Sequence, residues 1–388
     1  MAAVPRLSDL DLPGNIPSQT EYYEISAADY SLENPGFLKF RVKAEHATYE
    51  VVGLRPLAKL LREIEVIEKV RRNEKTSGFF DGAASSVEAT RKGLTTLASH
   101  PIDSVKGVGK AAGKLGRMVG RAFTKKEKGE QTSFNEKLLG SSKRELAKQF
   151  GVDAYTTNPY LNEVLNEMAR ARLGGKGATV VLKFLIPVAG LASVALTASG
   201  VNATADRLVN DSSLPDLFRI NQQALLSLGF DRKEAERLLN SSILTPREVT
   251  YLRVYLEKLK NIKGYEEISA GVCEAKKPEA ARKIMDEAQL AAEEAAQNPN
   301  YERLEIFSEG LALADSKRLI LVTAYDYLDQ SKLGDQILLK ANQLAEEWRK
   351  NFIEIWNGGK VTDEFRARAS RQNIKVRNGL LFETPRTA

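Results

Sequence analysis

Residues 178–201 read ATVVLKFLIPVAGLASVALTASGV, and after Lys183 no charged side chain occurs until Asp206. A helix needs about 20 apolar residues to cross a bilayer, so this stretch is long enough to do so. The chain as a whole has ordinary globular usage, 28% charged and 43% hydrophobic. The segment therefore separates two architectures. In one it spans a membrane, and the flanking Arg170, Arg172 and Lys176 against Asp206 and Asp211 put its N-terminal side in the cytoplasm. In the other it is a buried helical hairpin bent at Pro187 and Gly190, hinged by Gly174–Gly177. Its small residues, Ala189, Gly190, Ala192, Ser193, Ala195, Ala198, Ser199 and Gly200, permit close helix packing in either setting.

A second unusual stretch lies upstream. Between Arg91 and Lys128 there are ten Lys/Arg against Asp103 and Glu127. Over 83–123 apolar residues recur at roughly helical intervals, yet Gly107, Gly109, Gly113, Gly116 and Gly120 each cost a helix about 1 kcal/mol relative to Ala. A cationic face with an apolar stripe fits a helix lying on anionic lipid. The expected membrane-contacting residues here are Leu94, Leu97, Val105, Val108, Lys110, Lys114, Leu115, Val119 and Phe123. In the apolar segment they are Phe184, Leu185 and Ile186. A solvated basic face packed on the core is the plainer reading. Nucleic acid is a poorer partner, because no aromatic residue interleaves with the basic ones before Phe123. The run GKAAGKL (109–115) lacks phosphate-loop spacing and a hydroxyl residue after Lys114.

The remaining chain alternates in period. Residues 1–36 read as extended, irregular structure. In 37–53 the alternation of Leu38, Phe40 and Val42, then Tyr49 and Val51, predicts a β-hairpin. Leu57, Leu60, Leu61, Ile64, Ile67 and Val70 predict an amphipathic helix over 55–74. Further helices are expected at 143–150, from Pro159 behind an Asn158 cap, at 215–228, at 231–240 capped by Asp231, and at 245–260 behind a Thr245/Glu248 capping box. Residues 278–297 form an Ala/Glu-rich helix. Short strands follow at 304–307, 311–314 and 318–323, then a helix over 335–350, a strand over 352–356, a helix from Thr362 to Gln372, and a strand over 374–376.

The expected class is α+β and predominantly α-helical, with an N-terminal β-hairpin and a small C-terminal α/β unit. The expected regions are 1–53, extended and β-hairpin; 54–135, amphipathic and Gly/Lys-rich; 136–266, a helical core containing 178–201; and 267–388, a helix plus the α/β unit.

Chemistry is sparse. Cys273 is the only cysteine, which rules out an intrachain disulfide and Cys-based metal sites; no metal and no cofactor is expected. The two histidines, His46 and His100, stand in different segments, and the sequence places neither beside a catalytic partner. No G-x-S-x-G elbow is present. Asp326 follows an apolar strand, where α/β proteins place ligand groups, which makes it a candidate ligand site; aspartates in such places also cap helices. The N-terminus shows no apolar signal-peptide core.

Several stretches, HPIDSVKGV (100–108), LAKQFGVDAYTTNPYLNEVLNEMA (146–169), LLSLGFDRKEAERLL (225–239), RLILVTAYDYL and EIWNGGKVTDEFRARA, resemble a group of uncharacterised bacterial proteins in the same order. GVDAYTTNPYL is the most specific of them. Many members begin with an export signal, so the resemblance implies an envelope or periplasmic location and carries no catalytic residue. The function expected is non-enzymatic binding or scaffolding, peripheral to a bacterial envelope membrane, with an anionic lipid surface, a protein partner or a second copy as partner. A secreted toxin-like or pore-forming effector is the alternative, and an enzyme housed in the C-terminal unit near Asp326 a third.

Overall fold

The computed structural model describes residues 16–31, 34–77, 134–173, 200–329 and 331–381. Its architecture is mixed α+β and predominantly helical.

The N-terminal sheet has three antiparallel strands, β1 (Tyr23–Tyr30), β2 (Leu38–Ala44) and β3 (Thr48–Val52), in that order. The expected hairpin is β2–β3, with Phe40 opposite Val51 and Val42 opposite Tyr49. β1 is an addition to it: residues expected to be irregular pair along β2, with a register shift between Ile25 and Ala27. Alternation sends Leu38, Phe40 and Val42 inward onto helix α1 (Leu54–Ser77), which returns Leu57, Leu61 and Ile64 to the same core.

The second half of α1 carries Val66, Ile67 and Val70 into a separate core with α2 (Phe134–Phe150) and α3 (Pro159–Leu173). Helix α2 begins nine residues before the expected 143–150 element. The short 151–158 connection folds α2 and α3 into an antiparallel hairpin, bridged by Glu145 and Arg172 at 3.0 Å. Phe134 and Leu173 therefore lie at its open end.

Six helices follow: α4 (Gly200–Asp211), α5 (Leu214–Ser227), α6 (Arg232–Leu239), α7 (Pro246–Leu259), α8 (Glu267–Glu274) and α9 (Pro278–Gln297). The expected Asp231 cap and Thr245/Glu248 capping box are both formed, and Glu234 completes a box with Asp231 as well. Helix α7 is central, burying Leu252, Val254, Leu256 and Leu259.

The C-terminal sheet has the order β10-β8-β6-β5-β4. Strands β4 (Arg303–Ile306), β5 (Leu311–Ala314) and β6 (Arg318–Thr323) form an antiparallel meander. Two-residue strands β7 (Tyr327–Leu328) and β9 (Lys360–Val361) pair beyond the sheet. The chain then runs through helix α10 (Lys332–Glu347) to β8 (Phe352–Asn357), parallel to β6, and through α11 (Asp363–Arg371) to β10 (Ile374–Arg377), parallel to β8. Helix α10 ends three residues short of the expected Lys350 because Arg349 adopts a left-handed φ of 55°.

The apolar runs of β5 and β6 are explained by cover on both faces. Leu311, Leu313, Ile320 and Val322 pack into the α7–α9 core, whereas Ala312, Ala314, Leu319 and Leu321 pack under α10 and α11. Among the described residues no helix is long and apolar enough to cross a membrane; 178–199 lie outside them.

Candidate functional site

The loop between β6 and β7 leaves the C-terminal end of a parallel strand, and its shape is set by Asn357 at the end of β8. The Asn357 side-chain oxygen accepts from Thr323 Oγ1 at 2.9 Å and the Tyr325 N–H at 3.2 Å, while its Nδ2 donates to the Tyr325 carbonyl at 3.0 Å. Thus anchored, the loop turns Asp326 away from the sheet and into the protein.

Asp326 is buried. Its Oδ2 accepts the Leu38 N–H and its Oδ1 the Leu54 N–H, both at 2.9 Å. Leu38 begins β2 and Leu54 begins α1, so one carboxylate satisfies an orphan donor of a helix N-terminus and the first donor of a strand. Burial nevertheless pushes its carboxyl up to about 7, against the lowering effect of those two N–H groups. The position where an open α/β sheet would hold a ligand is filled here by the chain's own N-terminal sheet and helix.

Beside Asp326 lies a small cavity bordered by Phe37, Arg55, Lys283, Asp286 and Tyr325. Its volume, about 20 Å³, holds about one water. The charges around it are paired: Arg55 with Asp286, Arg282 with Glu248 at 3.0 Å, and Lys283 with Glu287 at 2.6 Å. Lys283 also sits 4.9 Å over the Tyr325 ring. Burial raises the Glu287 carboxyl to about 7, with Lys283 opposing, and raises Asp286 as well, with Arg55 opposing.

A second polar cluster gives His46 partners that the sequence did not place beside it. His46 Nδ1 lies 2.5 Å from Glu68 Oε1, and His46 Nε2 lies 2.5 Å from Tyr49 Oη. The same Glu68 oxygen accepts the His46 N–H at 3.1 Å. The His46 and Glu68 side chains are 0% and 1% exposed, so no substrate reaches them in this conformation. Burial drives the Glu68 carboxyl up, but its bonds to His46 outweigh that and hold it below the ordinary carboxylate value. Tyr49 is pushed well above a normal phenol by burial, the opposite of an activated nucleophile. The cluster ties the β2–β3 turn to α1, with Tyr160 of α3 stacked edge-on 4.8 Å from the imidazole.

GVDAYTTNPYL proves to be the knot that joins the helices. Gly151, with φ +63°, ends α2, and the Val152 N–H returns to the Ala147 carbonyl. Asp153 pairs with Lys59 at 3.2 Å. Thr156 Oγ1 and Asn158 Nδ2 donate to the two oxygens of buried Glu63, at 2.8 and 3.1 Å. Asn158 Oδ1 accepts the Tyr160 N–H at 3.1 Å, and Tyr155 Oη donates to the Ser212 carbonyl just beyond α4. These residue types are accounted for by folding alone.

The candidate membrane residues, Leu94 to Phe123 and Phe184 to Ile186, lie outside the described residues. Among the described residues no group of His, Cys, Asp or Glu is arranged to hold a metal. Comparison with protein-family models, with curated proteins and with solved structures yields no match.

Proposed function

We propose that this protein is a non-enzymatic binding or scaffolding protein acting at a membrane surface of the bacterial envelope, through 83–123 and 178–201. The observation that carries the reading is the antiparallel α2–α3 hairpin. Segment 78–133 enters it at Phe134 and segment 174–199 leaves it at Leu173, so the basic amphipathic stretch and the apolar stretch are tethered to the same helical hairpin. Their effects on a shared surface would then add, because tethering makes the second contact intramolecular. The enzyme alternative is weakened by the engagement of Asp326, its only named residue, with the backbone of Leu38 and Leu54.

The test is flotation of the full chain with vesicles of phosphatidylglycerol and of phosphatidylcholine. Salt-sensitive binding to the anionic vesicles, reduced by the double change Lys110→Glu and Lys114→Glu, is expected. A chain that stays at the bottom of the gradient with both vesicles overturns the reading. Dye release on binding would move the assignment to the pore-forming alternative.

A further inference from the structure

Among the described residues the buried apolar side chains fall into four clusters, and none draws fully buried members from both sides of residues 174–199. Two clusters belong to 16–169 and two to 201–381. Phe37, partly buried against the α10–α11 core, is the apolar bridge. Hydrogen bonds, an ion pair and aromatic contacts also join the halves here. Asp326 takes the N–H groups of Leu38 and Leu54, Arg55 pairs with Asp286, and the Tyr327 N–H donates to the Gly36 carbonyl at 3.2 Å. Tyr30 and Phe37 meet Tyr327 and Tyr325 with ring centroids 6.2 and 5.7 Å apart. A partly polar junction between separate apolar cores is common between parts that move relative to each other.

We propose that this seam is a proton-linked latch, in which the N-terminal half is docked on the C-terminal half when Asp326 is protonated and is released as Asp326 ionises. Docking removes the carboxyl from water, and among the described residues its compensation is two backbone N–H groups, with no cation paired to it. The charged groups facing it are Arg55 on α1 and Glu279, Arg282, Lys283 and Asp286 on α9; Tyr325 flanks it on its own loop. The cations among them are engaged: Arg55 with Asp286, Arg282 with Glu248 and Lys283 with Glu287. The direction follows from proton affinity. The docked carboxyl is raised to about 7 by burial, whereas a solvated aspartate titrates near about 4. The docked form therefore binds the proton more tightly, and docking weakens as pH rises through that interval and past 7. Asp286 is raised in the same sense, its burial outweighing Arg55 and Arg282.

Amide hydrogen exchange of the full chain, followed by NMR and corrected for the intrinsic rate, tests this at Leu38 and Leu54. Their protection is expected to fall about tenfold or more between pH 5.5 and 7.5, while Leu321 in the C-terminal sheet keeps its protection. The neutral variant Asp326→Asn is expected to lose this pH dependence. Should that variant not fold, the ¹³C shift of the Asp326 carboxyl in the unaltered protein decides instead, and it must titrate in the same range. Flat protection at Leu38 and Leu54, an equal fall at Leu321, an unchanged slope in Asp326→Asn, or an Asp326 carboxyl that titrates near 4 would each overturn the latch.

Discussion

Asp326 caps helix α1 at Leu54 from 272 positions further along the chain, its Oδ1 accepting the Leu54 N–H at 2.9 Å. Truncation to Ala leaves that donor and the Leu38 N–H buried without a partner. Loss of a cap costs about 1 kcal/mol and a second stranded donor about 1–3 more. Asp326→Ala should therefore lower stability by about 3 kcal/mol in urea denaturation at neutral pH. A change below about 1 kcal/mol would show that water replaces both bonds.

His46 and Glu68 form a buried pair, so removing one member strands the other. His46→Leu leaves the buried Glu68 carboxylate the backbone N–H of residue 46 but not the imidazole, and should destabilise by about 3 kcal/mol. The double variant H46L/E68L should recover much of that loss. A double-mutant cycle with a coupling energy near zero would mean that the two side chains do not depend on each other.

Glu287 contributes a pH dependence of its own. Its folded carboxyl is raised to about 7, from an ordinary value of 4.5, by burial. A raised acid stabilises the fold fully below the unfolded value and loses that contribution as pH rises through the folded one. Stability should thus decline from about pH 5 to pH 8 by about 2–3 kcal/mol on this account. The Glu287→Gln variant should show a flatter profile, and parallel profiles would count against the assignment.

Gly264 combines a φ of +93° with a Cβ direction that runs into the carbonyl oxygen of Leu304. Both features exclude a side chain, since the backbone conformation is strained for L residues and the neighbour is backbone. Lys263 beside it exchanges backbone bonds with Glu302 and Leu304, which close the edge of β4. Gly264→Ala should cost about 2 kcal/mol or more and raise hydrogen exchange at Leu304. A neutral substitution would place the loop differently.

Much of the local structure was legible because its signals act within a few residues. Thr245 and Glu248, or Asp231 and Glu234, exchange hydrogen bonds within one turn, so sequence spacing alone reports them. The apolar runs of β5 and β6 likewise announced strands, while the cover on both their faces came from the packing of the helices. Strand β1 was not legible: YEISAADY lacks strict alternation, and its order comes from pairing with β2. Helix α8 is short and contains Gly271, which lies against Ile284 of α9, so packing rather than propensity holds it. The His46–Glu68 pair spans 22 positions and needs both the β2–β3 turn and α1 in place before the two meet.

From the sequence by itself came the fold class, the caps, the periodicity of nearly every long element, and the two unusual segments at 83–123 and 178–201. All of these follow from short-range geometry and composition. Only the tertiary structure decided what Asp326, His46 and the GVDAYTTNPYL residues do. Their partners are other segments' backbone and side chains, and a buried polar group acquires its role from whichever donor or acceptor the fold brings within hydrogen-bond reach.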